Sequence, residues 1–451
     1  MFAVKRGEIR GRCDVVFHQP LVRNQLSELE NSVFSPVSLG NVIHDIRYGT
    51  GTPPLYMEPS NDTVPFVRAT DIKNGEVNFA TLRYIAATQP TSMDKCRLSG
   101  GELIIVRSGV NTGDCAVVPQ KLAGAYAAYD LIITLNSQVS AEFISTFLDT
   151  KIGRLQLNLV KGRAAQPHIN ADEVSALRIP LPPQDEQLRL VADMSAASHQ
   201  RSAKLREADE LLVGIDKLLL EQLGIAEILV KSHIASAVTL GIVKIEKTIG
   251  AEYYHPERLT VIRAIENNPA VSTRKLADIV DFLRETISAG GEPYLGLAGV
   301  VGNTGELSGA EDKAEGQAFS YCVGDILYAR LRPYLNKVLF AETDGVCSTE
   351  FHVMRIKRSD VMPEYLAAIM RSKIIVAQTK HMMTGNTHPR ISNDDVSNLR
   401  IPIPSIDIQR TVISEMRKRI ERSRLLKREA ETEWAAAKER FERELMGGTS
   451  K

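Results

Sequence analysis

Three regimes of hydrophobic patterning alternate along the chain. Short runs dense in β-branched and aromatic residues predict strands: "ELIIVR" from Glu102, "DLIITL" from Asp130, "DILYARLR" from Asp325, "KVLFAE" from Lys337 and "EFHVMRI" from Glu350. Between them, "AEFISTFLDTKIGRLQLN" (Ala141 to Asn158) and "MPEYLAAIMRSKIIVAQ" (Met362 to Gln378) repeat apolar residues every three or four positions, which predicts helices. The third regime is long and mostly charged. After "LRIPLPP" (Leu177 to Pro183) a helical pattern runs to about Leu223, where Gly224 reads as a stop. A second runs from about Asp407 to Met446 and ends at Gly447 and Gly448.

Heptads fit both long segments. The first has one column at Val191, Ser198, Leu205, Leu212 and Leu219, and another at Met194, Arg201, Ala208, Ile215 and Gln222. The second has Ile413, Ile420, Lys427, Trp434 and Phe441, with Met416, Ser423, Ala430, Ala437 and Glu444 alongside. At 1.5 Å per residue each helix spans roughly 55–60 Å. The prolines before the first helix lack donors and hold their predecessors extended, so "IPLPP" predicts a rigid extended lead-in.

These regimes occur twice. "LRIPLPPQDEQ" (Leu177 to Gln187) faces "LRIPIPSIDIQ" (Leu399 to Gln409), and "GELIIVR" from Gly101 faces "GDILYAR" from Gly324. Pro167 matches Pro389 and Ile169 matches Ile391 at an offset of 222, while His18 matches His255 at an offset of 237. The offset drifts through the amino-terminal part of each copy and then locks, as indels in surface loops would produce. The two helices are therefore of equal length, each following a mixed α/β globule. The economical arrangement pairs them antiparallel within one chain, with a pseudo-twofold relation between like halves. The predicted domains are residues 1–180, a helix over 181–224, residues 225–402 with a linker at 225–248, and a helix over 403–448.

Composition changes this picture little. The chain has 451 residues, 43% hydrophobic and 24% charged, and 55 basic residues balance 55 acidic ones. Zero net charge is unusual for a nucleic-acid binder acting alone, which normally carries a basic excess. Five scattered cysteines (13, 96, 115, 322 and 347) argue for reduced thiols and a cytoplasmic location. No signal peptide is expected, and "HIASAVTLGIV" from His233 is too short to span a membrane.

Catalytic signatures are sparse. The two Pro-Pro pairs lack the Asn/Asp-Pro-Pro-aromatic context of a base methyltransferase, and phosphate-binding loops and zinc spacings are absent. "DIK" (Asp71 to Lys73) resembles a fragment of a nuclease core but has no suitable upstream acid. His18 and His255 read best as capping or packing residues. What remains is two similar globules on a spacer.

"SALRIPLPPQDEQLRLV" and "SNLRIPIPSIDIQRTV" resemble the start of the helical regions in the specificity subunit of type I restriction–modification systems. "AEYYHPE", "GDILYAR" and "TGNTHPRIS" are similar to that family too. The second copy departs from the pattern where Ser405, Ile406 and Ile408 replace Pro183, Gln184 and Glu186. The resemblance implies a mixed α+β fold: two tandem target recognition domains separated by paired antiparallel coiled-coil helices. It implies a non-catalytic subunit that reads a bipartite double-stranded DNA target and docks two methyltransferase subunits and motor/nuclease (restriction) subunits. No cofactor is expected in this chain; S-adenosylmethionine, ATP and Mg would belong to the partners. The rival readings are a stand-alone DNA methyltransferase or nuclease, and a coiled-coil scaffold that does not bind DNA.

Residues suited to phosphate and base-edge contacts cluster at matching places. After the central strand come Arg107, Ser108, Asn111 and Thr112 in the first copy, and Arg330, Arg332, Tyr334, Asn336 and Lys337 in the second. Before the helix come Lys161, Arg163, Gln166 and His168, against Asn386, Thr387, His388 and Arg390.

Overall fold

The structure is a computed structural model that describes residues 16–73, 75–161, 167–225, 251–289, 293–309, 312–313, 316–383 and 388–447. The expected linker at 225–248 lies, beyond Ile225, outside these residues. The chain divides into two compact units, 1–204 with 428–451, and 205–427. The boundaries cut each long helix near its middle, so each unit is a globule together with a stretch of both helices.

In the first unit a helix at Pro20–Glu30 precedes a four-stranded antiparallel sheet. Its order is Ile43–Tyr48, Leu131–Leu135, Leu103–Ile105, Cys115–Val117. A second sheet places Thr63–Val67 between antiparallel Arg83–Ala86 and parallel Tyr126–Ala127. The short strand Pro36–Ser38 pairs with Arg178–Pro180. The second unit repeats the first sheet strand for strand: Val280–Leu283, Phe351–Ile356, Ile326–Ala329, Val338–Phe340. Ser272–Lys275 pairs there with Arg400–Ile403. Its other sheet differs, with five strands against three. The five predicted strands all form, and they fall in the sheet that repeats.

Each predicted helical stretch breaks into two. Ala141–Leu148 is followed by Lys151–Val160, and Pro363–Met370 by Lys373–Thr379. The hydroxyls of Thr150 and Ser372 donate back to the carbonyls of Phe147 (2.7 Å) and Ile369 (2.6 Å), which turns the chain. Gly153 permits the tight elbow in the first unit, since a Cβ there would come 2.2 Å from the Phe147 carbonyl oxygen.

The long helices span Gln184–Gln222 and Ile406–Met446, close to the predicted limits. Gly224 and Gly447 have φ of +64° and +86°, as helix stops require. In the first unit the partners run antiparallel: Arg189 pairs with Glu444, Arg201 with Glu431 (2.7 Å) and Lys204 with Glu433 (2.6 Å). In the second unit Arg422 meets Glu207 (3.6 Å) and Lys427 meets Asp209 (3.1 Å), again antiparallel. The predicted seam is the buried face: Met194, Ala208, Leu219, Ile413, Met416, Ser423, Ala430 and Phe441 are buried. Gln222, by contrast, is exposed because the helix ends there.

The globules are continuous with their helices. Leu190, Met194, Phe441 and Leu445 belong to the core of the first unit, and Leu219, Leu223, Val412 and Ile413 to that of the second. Carboxylates from the helices also cap the globules. Glu442 accepts from the backbone N–H groups of Lys151 and Ile152 (both 3.2 Å), and Asp216 from that of Lys373 (3.0 Å).

Two buried glutamines hold each repeated Leu-Arg-Ile-Pro segment. Gln156 donates to the Arg178 carbonyl (2.9 Å) and accepts from its N–H (2.8 Å); Gln378 does the same to Arg400 (2.9 and 2.8 Å). One turn into the helix, Gln187 accepts from Ser140 N–H (3.0 Å) and donates to the Pro182 carbonyl (2.9 Å). Gln409 accepts from Met362 N–H (2.9 Å) and donates to the carbonyls of Asp360 (2.9 Å) and Pro404 (3.0 Å). Each side chain supplies the donor and acceptor that an extended proline-rich lead-in cannot find in a ladder. The Gln409→Ala variant leaves buried backbone groups unpaired. It is expected to lower the stability of the second unit by about 2–4 kcal/mol, read by urea unfolding with hydrogen exchange to locate the loss. An unchanged midpoint would mean that the joint does not rely on this side chain.

Candidate nucleic-acid interface

The central strand of each repeated sheet runs out of the sheet at an arginine, Arg107 or Arg330. Backbone bonds then bring the second predicted cluster alongside the first. In the first unit Ile169 N–H donates to the Arg107 carbonyl (2.9 Å), and Ser108 bridges to His168. In the second unit Ile391 N–H donates to the Arg330 carbonyl (3.0 Å) and Arg332 N–H to the Pro389 carbonyl (2.7 Å). Segments about sixty residues apart in sequence thus form one surface in each unit.

In the first unit the Arg107 guanidinium lies against two tyrosines, 4.6 Å from the Tyr48 ring centre and 4.2 Å from that of Tyr129. Its Nε and Nη2 reach His168 Nε2 at 2.9 and 2.6 Å. The carboxylate of Asp130 accepts from Arg107 N–H at 3.1 Å. Burial pushes the Asp130 carboxyl up to about 6, against the pull of the Arg107 N–H and its positive charge. Ser108 is exposed. Asn111 donates to the Ala69 carbonyl (3.3 Å). Thr112 is turned inward, bonding the Gly109 (2.6 Å) and Pro167 (3.2 Å) carbonyls, so it shapes the loop. Lys161 is half-buried, and that burial lowers its pKa.

In the second unit Arg390 forks onto Glu350, with Nη2 at 2.8 Å, and holds that carboxyl below its usual range. With its amide turned so that the oxygen accepts from Arg284, Asn393 donates to His352 Nδ1 at 2.9 Å and links the two side chains. Burial beside Arg330 drives the His352 imidazole down to about 3, so it is neutral at cellular pH. A cavity of about 310 Å³ opens between Phe282, Arg284, Phe319, Arg330 and His352. Arg332, Tyr334 and His388 are exposed. Asn336 is 2% exposed, in a left-handed turn at φ +50°, and bonds Asn303 (3.1 Å) and the Arg371 carbonyl. Lys337 donates to the Leu297 carbonyl (2.6 Å). These last two side chains are used inside the fold. Arg163, Gln166, Asn386 and Thr387 lie outside the described residues.

Tyr48, Tyr129, Asp130, Arg284, Glu350, His352 and Asn393 join these surfaces without having stood out in the sequence. Their only sequence signal is position, at strand ends and at the start of a short helix.

Other candidates resolve into structure. Asp71 is fully buried and held by Arg68 and Thr81, which accounts for the "DIK" carboxylate. His255 caps its helix, Nδ1 accepting from Glu257 N–H at 3.3 Å. His255, Glu257 and His381 lie close enough to suggest a metal site. However, the two imidazoles stack at 3.5 Å and 13°, and a coordinated ion must lie in the plane of each ring. Lys380 also occupies the Glu257 carboxylate at 2.6 Å. As arranged, the cluster is an ion pair beside a stacked pair. Among the described residues no helix is long and apolar enough to cross a membrane.

Residues 40–204 match the type I restriction modification DNA specificity domain. The chain is 22% identical over 304 residues to the EcoDI type I restriction enzyme specificity subunit of Escherichia coli, an alignment covering 65% of this chain and 66% of that protein. It is 30% identical over 118 residues to the HindI specificity subunit of Haemophilus influenzae, covering 25% of this chain and 24% of that one. A solved chain from work on the assembly and conformational transition of the type I R-M system has the same fold, with a TM-score of 0.50 and 17% identity, over 92% of this chain and 98% of that chain. The fold is thus that of a tandem mixed α+β protein with two long helices. Residues 40–204 thus carry a type I restriction modification DNA specificity domain, and the chain as a whole is similar to type I restriction enzyme specificity subunits.

The raised Asp130 carboxyl sets a pH dependence. Its folded pKa exceeds the unfolded value near 3.9, so the folded state holds the proton more tightly. The cost of burying the charge is absent below about pH 4 and complete above about pH 6. As pH rises from 4 to 7, the wild type should lose up to about 3 kcal/mol relative to Asp130→Asn. Parallel denaturation profiles for the two proteins would contradict this.

Proposed function

We propose that this chain is the sequence-reading, non-catalytic subunit of a cytoplasmic type I restriction–modification complex. Each globule contacts one half of a bipartite double-stranded DNA target. The observation that carries the reading is the convergence of the two cationic segments into one surface around the same strand-end arginine in both units. The arginines, Ser108, Asn111, His168, Tyr334 and His388 supply groups for phosphates and base edges. Lys161, Lys337, Thr112 and Asn336 support the loops that present them, and Arg163, Gln166, Asn386 and Thr387 belong to the same segments. The helices act as a spacer: half-sites read from one face of the duplex stand about one helical turn, roughly 34 Å, apart.

Two methyltransferase subunits docked on the helices would bring S-adenosylmethionine, and restriction subunits ATP and Mg. Equal numbers of acidic and basic residues favour this division of labour, because a neutral chain has little phosphate grip of its own. The unlike second sheets of the two units favour unlike half-sites.

The test exchanges residues 1–177 for the corresponding segment of another specificity subunit and maps the modified sites. One half-site should change and the other persist; a change in both or in neither would overturn the assignment. Specific DNA binding should also be weaker, with a shallower salt dependence, for the chain alone than for its assembly with methyltransferase. Equal affinity and equal slope would show that the partners contribute no phosphate contacts.

A further inference from the structure

The two strand-end arginines stand at equivalent places, and strand register identifies what surrounds each. Leu131 lies opposite both Ile105 and Tyr48, and His352 lies opposite Tyr328. Extending the pairing of Leu283 with Val353 by one residue places Arg284 opposite His352. Arg284 therefore occupies the place of Tyr48, and Glu350 that of Tyr129. Arg390 occupies the place of His168 at the offset of 222 that aligns the preceding prolines. The central arginine is kept while all three neighbours change, from Tyr, Tyr and His to Arg, Glu and Arg. The surrounding sheet keeps its pairing order.

We propose that Arg107 with its collar of Tyr48, Tyr129 and His168 is a base-reading station that takes the major-groove edge of a guanine. The collar of Arg284, Glu350 and Arg390 gives Arg330 a different base to read. The inference rests on the DNA-reading function above and adds to it a ligand and a set of specificity residues.

The geometry of the first station is that of a fixed fork. Tyr48 and Tyr129 hold the guanidinium against their rings, and Tyr48 is itself held by the Ala171 N–H, which donates to its hydroxyl at 3.1 Å. Nε and Nη2 share His168 Nε2 as acceptor, which places the imidazole proton on Nδ1. Nη1 has no hydrogen bond among the described residues. The guanidinium edge formed by Nη1 and the second Nη2 proton can therefore donate to O6 and N7 of guanine together, the commonest specific arginine contact in the major groove. Clamping removes most of the rotamer freedom that a free arginine would lose on binding. At the second station the rings are replaced by a carboxylate, two further guanidiniums and the open cavity beside Arg330. That set of donors and acceptors does not present a lone clamped fork.

The experiment expresses the full chain with its methyltransferase in a host lacking adenine methylation, and maps modified sites by single-molecule sequencing. The wild type should define a bipartite motif with a fixed guanine in the half-site assigned to the first unit. Arg107→Ala removes both donors of the fork. It should relax that guanine alone, with discrimination falling tenfold or more, and leave the other half-site unchanged. In a binding assay with the wild-type complex, 7-deazaguanine at that position, which lacks N7, should weaken binding tenfold or more. The same analogue at other guanines of the half-site should have a smaller effect. Retention of the full motif by Arg107→Ala, relaxation at a base other than guanine, or indifference of the wild type to 7-deazaguanine would each overturn the proposal. The wild-type analogue result stands even if the variant does not fold. A wild-type complex that modifies no bipartite motif would instead refute the DNA-reading function itself.

Discussion

An extended proline-rich segment cannot hydrogen-bond itself, yet here it must connect a globule to a long helix without becoming a hinge. The two buried glutamines on each segment resolve this. Gln156 and Gln378 act like a strand edge, giving a donor and an acceptor to the backbone of Arg178 and Arg400. Gln187 and Gln409 fasten the first helical turn to the carbonyl behind it and to the residue that opens an earlier helix of the globule. Fully satisfied buried amides of this kind fix one geometry, because any other leaves polar groups unpaired away from water. The ion pairs of Arg178 with Glu30, exposed, and of Arg400 with Glu266, partly buried, add a clasp at the same positions.

From that constraint follows the division between what repeats and what varies. The four-stranded sheet, the broken helix pair and the carboxylate caps from the long helices recur because they position the globule on its stretch of helix. The second sheet is under no such demand and grows from three strands to five between the units. The strand-end arginine sits at the border: its backbone belongs to the repeated sheet and its side chain to the variable surface. A fixed backbone with a changing collar lets specificity diverge without disturbing the joint.

Much of this was legible in the chain itself. The strand runs, the helix limits at Gly224 and Gly447, the seam residues and the doubled phrase are local features, set by side-chain periodicity and by the backbone limits of proline and glycine. The helical stretches around Thr150 and Ser372 read as continuous because hydroxyl turns leave apolar spacing intact. The clusters around Arg107 and Arg330 could be named from residue type and equivalent position, but Thr112 and Asn336 look as polar in sequence as their exposed neighbours do. Only packing turns them inward.

By itself, then, the sequence determined the tandem architecture, the two helices and the family resemblance, since all three rest on order and spacing along the chain. The tertiary structure decided which residues share a surface. Tyr48, Tyr129 and His168 meet at Arg107, and Arg284, Glu350 and Arg390 gather around Arg330, across separations of tens of residues. Strand register and backbone pairing set those meetings, and neither leaves a periodic trace in the order of amino acids.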